Sequence, residues 1–237
     1  MDIAVGTSGY NYPEWKGTFY PNPFPASKMF AYYAERFRTV EINYTFYRMP
    51  TPKLTEAWRE QAPEGFRYTL KAPKRITHEK RLVDCGEAMG MFVDAASRLG
   101  PHLASLLFQL PPNMRCDLAK FESFLTLLPP DMRCAFEFRH DSWHSDEVFK
   151  LLERAGAALC IADMGDKTTP MVPTARHAYF RLRDEGYAPA DLTRWADTVL
   201  SHKADWDQVF VYFKHEDEGK GPEFAKVFEE AIRARGV

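Results

Sequence analysis

The chain has 237 residues, 45% hydrophobic and 27% charged, the size and composition of an ordinary globular protein with enough apolar material for a large core. A net charge of −2 and a pI near 6.4 exclude a chain drawn as a whole to nucleic acid or to a membrane surface, so any basic site must be local. No apolar run approaches the length of a bilayer span, the opening "MDIAVGTSGYNYPEWKG" lacks the pattern of a secretory signal, and the scattered Cys85, Cys116, Cys134 and Cys160 read as reduced, mostly buried thiols of a cytoplasmic protein.

Short β-rich runs alternate with amphipathic helical runs along the whole chain. Strands are expected at 3–9, 39–46, 67–73, 103–112, 133–140, 157–163, 177–183 and 208–216. Helices are expected at 26–37, 51–62, 84–100, 117–128, 145–156, 188–203 and 221–235. Thr51 before Pro52 marks one helix start, and Gly100 and Gly156 mark two helix ends. The stretch 164–175 carries little helical pattern. Strict alternation implies parallel strands with right-handed crossovers. Eight such units in one domain spanning 1–237 give a (β/α)8 TIM-like barrel with one compressed connection after the sixth strand. An open doubly wound sheet is the alternative, but "GTSGYNYPEW" offers no dinucleotide fingerprint after the first strand.

Side chains alternate across a strand, which splits each strand into a barrel face and a helix face. In the fifth strand Cys134, Phe136 and Phe138 would face the helices, leaving Ala135, Glu137 and Arg139 toward the axis. The same parity turns inward Glu41 and Asn43, Thr69 and Lys71, Gln109, Ile161 and Asp163, Tyr179, Arg181 and Arg183, and Tyr212 and Lys214. These polar groups gather at the C-terminal strand ends, where the loops of such a barrel build active sites. Five inward cations stand against the three carboxylates Glu41, Glu137 and Asp163. A local positive surplus calls for an anionic ligand, and guanidinium forks suit phosphate or carboxylate. The opposing reading is mutual ion pairing with no ligand at all.

Several longer motifs carry a family likeness. "GTSGYNYPEWKGTFYP" (6–21), "YYAERFRTVEINYTFYRMP" (32–50), "KAPKRITHEKRL" (71–82), "FQLPP" (108–112) and "EFRHDSW" (137–143) resemble the YecE-like family, catalogued as domain of unknown function 72. The resemblance implies a TIM-barrel-like fold and a cytosolic protein, and it supplies no reaction. The family's seventh strand usually continues as Arg-Leu-His-Gly, whereas "RLRDEGYAPADL" puts Arg183 at the histidine. Its eighth strand usually ends in paired amides, whereas "YFKHED" puts Lys214 and His215 there. Segments 181–186 and 212–217 therefore depart from the pattern at the expected mouth.

Glu41 and Glu137 on opposite sides of the mouth form a candidate acid–base pair, of the kind glycoside hydrolysis also needs. Tyr10, Tyr47 and Trp143 are the aromatic residues expected to contact a ligand. A divalent metal (Mg, Mn or Zn) could take Glu41, Glu137, Asp163 and one of His78, His140 or His215, though neighbouring arginines oppose a cation and no local ligand spacing supports one. The leading expectation is a monomeric or weakly associating hydrolase- or isomerase-type enzyme for a small anionic or phosphorylated substrate. Glu41, Glu137 and Asp163 would be catalytic, and Asn43, Lys71, Gln109, Arg139, Arg181, Arg183 and Lys214 would bind. The competing class is a nucleic-acid partner using Lys71, Lys74, Arg75, Lys80 and Arg81 of loop 71–81. A third is a barrel without activity.

Overall fold

A computed structural model describes residues 1–164, 167–184, 186–216 and 218–236. Eight parallel strands close into a barrel: β1 (Asp2–Ser8), β2 (Thr39–Ile42), β3 (Arg67–Lys71), β4 (Leu103–Gln109), β5 (Cys134–Glu137), β6 (Ala158–Met164), β8 (His177–Leu182) and β9 (Gln208–Phe213). β1 pairs with β9, and β5 pairs with β6, so these eight strands form a closed ring. The two-residue strand β7 (Lys167–Thr168) folds back antiparallel on β6. It occupies the connection expected to be compressed, where among the described residues no helix intervenes before β8.

The outer ring is formed by α1 (Ala26–Ala34), the short α2 (Tyr44–Tyr47), α3 (Pro52–Gln61), α4 (Gly86–Ser97), α5 (Leu118–Leu125), α6 (Asp146–Ala155), α7 (Pro189–Ser201) and α8 (Lys220–Arg233). The Thr51 hydroxyl accepts from Leu54 N–H at the start of α3, and Gly156 ends α6 in the left-handed conformation at φ 62°. Among the described residues no helix is long and apolar enough to cross a membrane.

Two apolar layers follow from the strand parity. Phe108 and Phe136 stack between strands and helices with Phe121 and Phe124 of α5. The barrel axis is filled by Ala4, Ala104, Leu107, Ala135, Cys160, Phe210, Tyr179 and Tyr212, small residues making room for the rings. Tyr212 hydroxyl joins Thr39 and Thr69 across the axis at 2.7 and 2.9 Å. Gly6 permits the β1–β2 approach, because a Cβ there would lie 2.1 Å from the Thr39 carbonyl oxygen.

Three expectations are corrected. The second strand stops at Ile42 rather than Phe46: Asn43 turns helical, and the Thr45 hydroxyl donates to the Ile42 and Lys71 carbonyls, satisfying both strand ends. Residues Arg75–Glu79, read as plain loop, form one π-helical turn. The parity of the sixth strand is inverted. Ala158 and Cys160 face the axis and Ile161 packs into the helical layer, so Asp163 does not point into the barrel.

Candidate functional site

The C-terminal barrel mouth is organised by one guanidinium. Arg181 of β8 reaches Glu137 of β5 at 2.5 Å through Nη1 and Glu41 of β2 at 2.7 Å through Nη2. All three are 0–1% exposed. Glu41 also accepts from Ser8 Oγ and Tyr179 OH, each at 2.5 Å. Glu137 accepts from Arg139 Nε at 2.8 Å and stands 3.7 Å from Arg183 Nη1. Three donors on Glu41 and two on Glu137 offset part of the cost of burying the two carboxylates. The Nε of Arg181 is buried without a hydrogen-bond partner.

This wiring fixes protonation. Burial alone would raise the Glu137 carboxyl, but Arg181, Arg139 and Arg183 hold it down to about 2. Burial likewise opposes Glu41, and Arg181 with the hydrogen bonds from Arg181, Ser8 and Tyr179 still holds it below its ordinary value. Both are carboxylates at neutral pH, so neither has a proton to give as a general acid, and at about 2 Glu137 is a feeble base. The two share one arginine instead of flanking a substrate gap, which also removes the geometry of a glycosidase pair.

Lys71, the last residue of β3, is the exception to this pairing. It is 8% exposed, its Nζ lies 4.2 Å from the Phe46 ring centroid, and among the described residues no carboxylate oxygen comes within 4.0 Å of it. Burial, then Arg181, lowers its amine to about 8 against the weaker opposing pull of Glu41 and Glu137. His78, on the π turn and edge-on to Phe46, is likewise lowered by burial and by Lys71.

Beside this cluster a cavity of about 340 Å³ opens between β5, β6, β7 and β8. Glu137, Arg139, Arg183, His144, Lys167 and Thr169 are among its lining residues. His144 Nε2 is buried there without a partner. Four cations (Lys71, Arg139, Arg181, Arg183) meet two carboxylates (Glu41, Glu137), so the surplus expected from the sequence persists at two charges, though its members differ. Lys214 turns to Glu216 at 3.5 Å, outside the cluster.

Other expected residues lie elsewhere. Asp163 accepts from the Arg183 backbone N–H at 2.7 Å and from the Tyr187 hydroxyl, and orders the β8 loop rather than a catalytic group. Trp143 is fully buried, stacked on Phe138 at 4.7 Å, with its Nε1 donating to the Met114 carbonyl, so it belongs to the core and not to a ligand platform. Tyr47 is 73% exposed and touches Phe46. Tyr10 and Asn43 line a separate cavity of about 280 Å³ between α1 and α3, with Asn43 Oδ1 unpartnered. Gln109 is buried at the end of β4, with its Nε2 donating to Leu110 O at 3.4 Å. His215 Nε2 donates to the Asp184 carbonyl at 2.7 Å, joining the two segments that depart from the family pattern; Glu185 and Asp217 of those segments lie outside the described residues.

Tyr179, which parity turned inward without a role, and Ser8, the last residue of β1, are site residues that the sequence reading did not assign. Two buried carboxylates need more donors than one arginine supplies, and that count would have found them. Among the described residues no three His, Cys, Asp or Glu side chains are grouped to hold a metal ion, and the Arg181 guanidinium already fills the space between Glu41 and Glu137. In the basic segment, Lys74 pairs with Glu79, Arg75 with Glu87 and Arg81 with Asn113.

Known proteins share this barrel. The DUF72 family protein of Thermotoga maritima has a TM-score of 0.84 at 25% identity, covering 98% of this chain and all of its own. A glycoside hydrolase family 30 xylanase from Clostridium acetobutylicum reaches 0.55 at 12% identity over 98% of this chain and 71% of its own, a likeness of fold alone. In sequence, the UPF0759 protein YecE of Escherichia coli is 30% identical over 109 residues, 46% of this chain and 38% of that protein. YunF of Bacillus subtilis is 26% identical over 188 residues, 74% of this chain and 66% of that protein, so the match spans less than two thirds of either relative. The profile described as "Protein of unknown function DUF72" matches residues 4–237, and the chain belongs to that family.

Proposed function

We propose that this barrel is an enzyme that binds a small anionic substrate, in particular a phosphorylated one, at its C-terminal mouth and turns it over by proton transfer. The observation that carries the reading is the unequal pairing of the mouth. Arg181 is consumed by two carboxylates, while Arg139 and Arg183 share the already satisfied Glu137 and line the cavity beside it. Two partly exposed guanidinium groups on one wall suit the oxygens of a phosphate or carboxylate. A structural network alone would need no such excess.

The proton-transfer role falls to Lys71 rather than to the carboxylates, because only an amine near 8 exchanges protons readily at neutral pH. Glu41 and Glu137 then act by holding Arg181 and by setting the field at the mouth. Isothermal titration with inorganic phosphate and a panel of sugar phosphates tests the binding half. Saturable binding that weakens about tenfold or more in Arg183→Ala is the expected result. Absence of binding by any phosphorylated compound, with stabilisation by oligonucleotides instead, would sink the reading in favour of a nucleic-acid surface.

A further inference from the structure

We propose that Lys71 is an imine-forming lysine: its side-chain amine condenses with the carbonyl carbon of a small anionic aldehyde or ketone held at the barrel mouth. This deepens the proposed function and rests on its reading of the mouth as an anion site.

The geometry singles out this residue. Lys71 ends β3 on the inner face, at the level where Glu41, Glu137 and Arg181 end their strands or approach their ends. Arg139, Arg181, Arg183 and Lys214 each lie within 4.0 Å of a described carboxylate, and Lys71 does not. Its amine instead sits over the Phe46 ring, an apolar floor that shields the carbon stem and leaves the nitrogen without an anchoring ion pair. The charged groups acting on it come from several elements: Glu41 from β2, Glu137 and Arg139 at the end of β5, and Arg181 from β8; the titratable His78 of the π turn is itself lowered by Lys71. Burial and the cations outweigh the carboxylates, so about a tenth of the amine is unprotonated at pH 7. A desolvated lysine beside other cations is the usual way a protein prepares an amine nucleophile.

The step balances without an oxidant or reductant. The Nζ lone pair forms the new bond to the carbonyl carbon, and the C=O π electrons move to oxygen, which takes a proton from solvent. Nitrogen then loses a proton, the hydroxyl leaves as water, and the C=N bond closes. Amine and carbonyl become imine and water. Arg139 and Arg183 would hold the carboxylate or phosphate of the same small molecule, which explains why cations surround an amine that must be neutral to react.

The test uses glyoxylate as an anionic aldehyde and glycolaldehyde as an uncharged one of similar size. The whole protein is treated with each, with cyanoborohydride present to reduce any imine, and modified lysines are mapped by peptide mass spectrometry. Glyoxylate should modify Lys71 about tenfold or more faster near neutral pH than exposed lysines such as Lys28 and Lys150. The Lys71 rate should level off above about pH 8 while the exposed lysines keep gaining. Glycolaldehyde should show a smaller preference, and inorganic phosphate should suppress the glyoxylate reaction. If Lys71 reacts no faster than the exposed lysines, the imine proposal is overturned, and calorimetric phosphate binding still decides the anion reading on its own. If Lys71 reacts fast with both aldehydes and phosphate offers no protection, the imine stands and the anion site falls.

Discussion

Arg181 and Glu41 form an ion pair at 2.7 Å with both side chains fully withdrawn from solvent, at the centre of a closed barrel. The same guanidinium holds Glu137, so one residue compensates two buried negative charges. Removing it strands both. Arg181→Met should cost about 3–5 kcal/mol of unfolding free energy, read by urea denaturation. Adding Glu41→Gln and Glu137→Gln to that variant should recover much of the loss, because no uncompensated charge remains. A loss below about 1 kcal/mol in the single variant would mean that water reaches the carboxylates.

Acid should act in two windows. His177 is buried against the Cys134 carbonyl, and burial lowers it from 6.5 to about 4, so the unfolded chain binds its proton first and stability falls as pH drops between those values. Glu137, lowered from 4.5 to about 2, contributes about 3 kcal/mol that is fully present above pH 4.5 and lost as pH falls toward 2. Stability against pH should therefore descend in two limbs. Glu137→Gln should flatten the lower limb and leave the upper one in place.

Lys71 should be a stability liability. Its amine is lowered from 10.5 to about 8, so the unfolded chain binds more protons across that range and stability rises with pH through it. Below pH 8 the full cost of the buried cation persists. Lys71→Met should stabilise the protein at neutral pH by up to about 3 kcal/mol, with the gain fading above pH 10. Thermal melts at pH 7 and pH 10.5 check this directly. A destabilised variant at pH 7 would place Lys71 among the structural residues.

Trp143→Ala should cost about 3–5 kcal/mol, as expected for a stacked indole removed from a tight core. Phosphate affinity measured on the folded fraction should be unchanged. A matching loss of affinity would return Trp143 to the ligand contacts that the sequence led one to expect of it.

The alternation of β and helical runs was sufficient for the eight-stranded barrel, because period-two and period-3.6 patterns are properties of the local chain. Strand parity was equally local, and it sent Glu41, Lys71, Glu137 and Arg181 to the axis correctly. It failed at β6, where the phase of "ALCIADM" is ambiguous: Cys160 and Ile161 are both apolar and both faces of the strand are buried, so hydrophobicity cannot choose between them. Asp163 was misplaced with that phase. Which cation meets which carboxylate was never in the sequence. Glu41 and Arg181 are 140 residues apart, and only barrel closure brings β2, β5 and β8 within reach of one guanidinium. The same closure left Lys71 over Phe46, with no carboxylate partner among the described residues. Composition supplied the charges, and the tertiary structure decided which of them pair with one another.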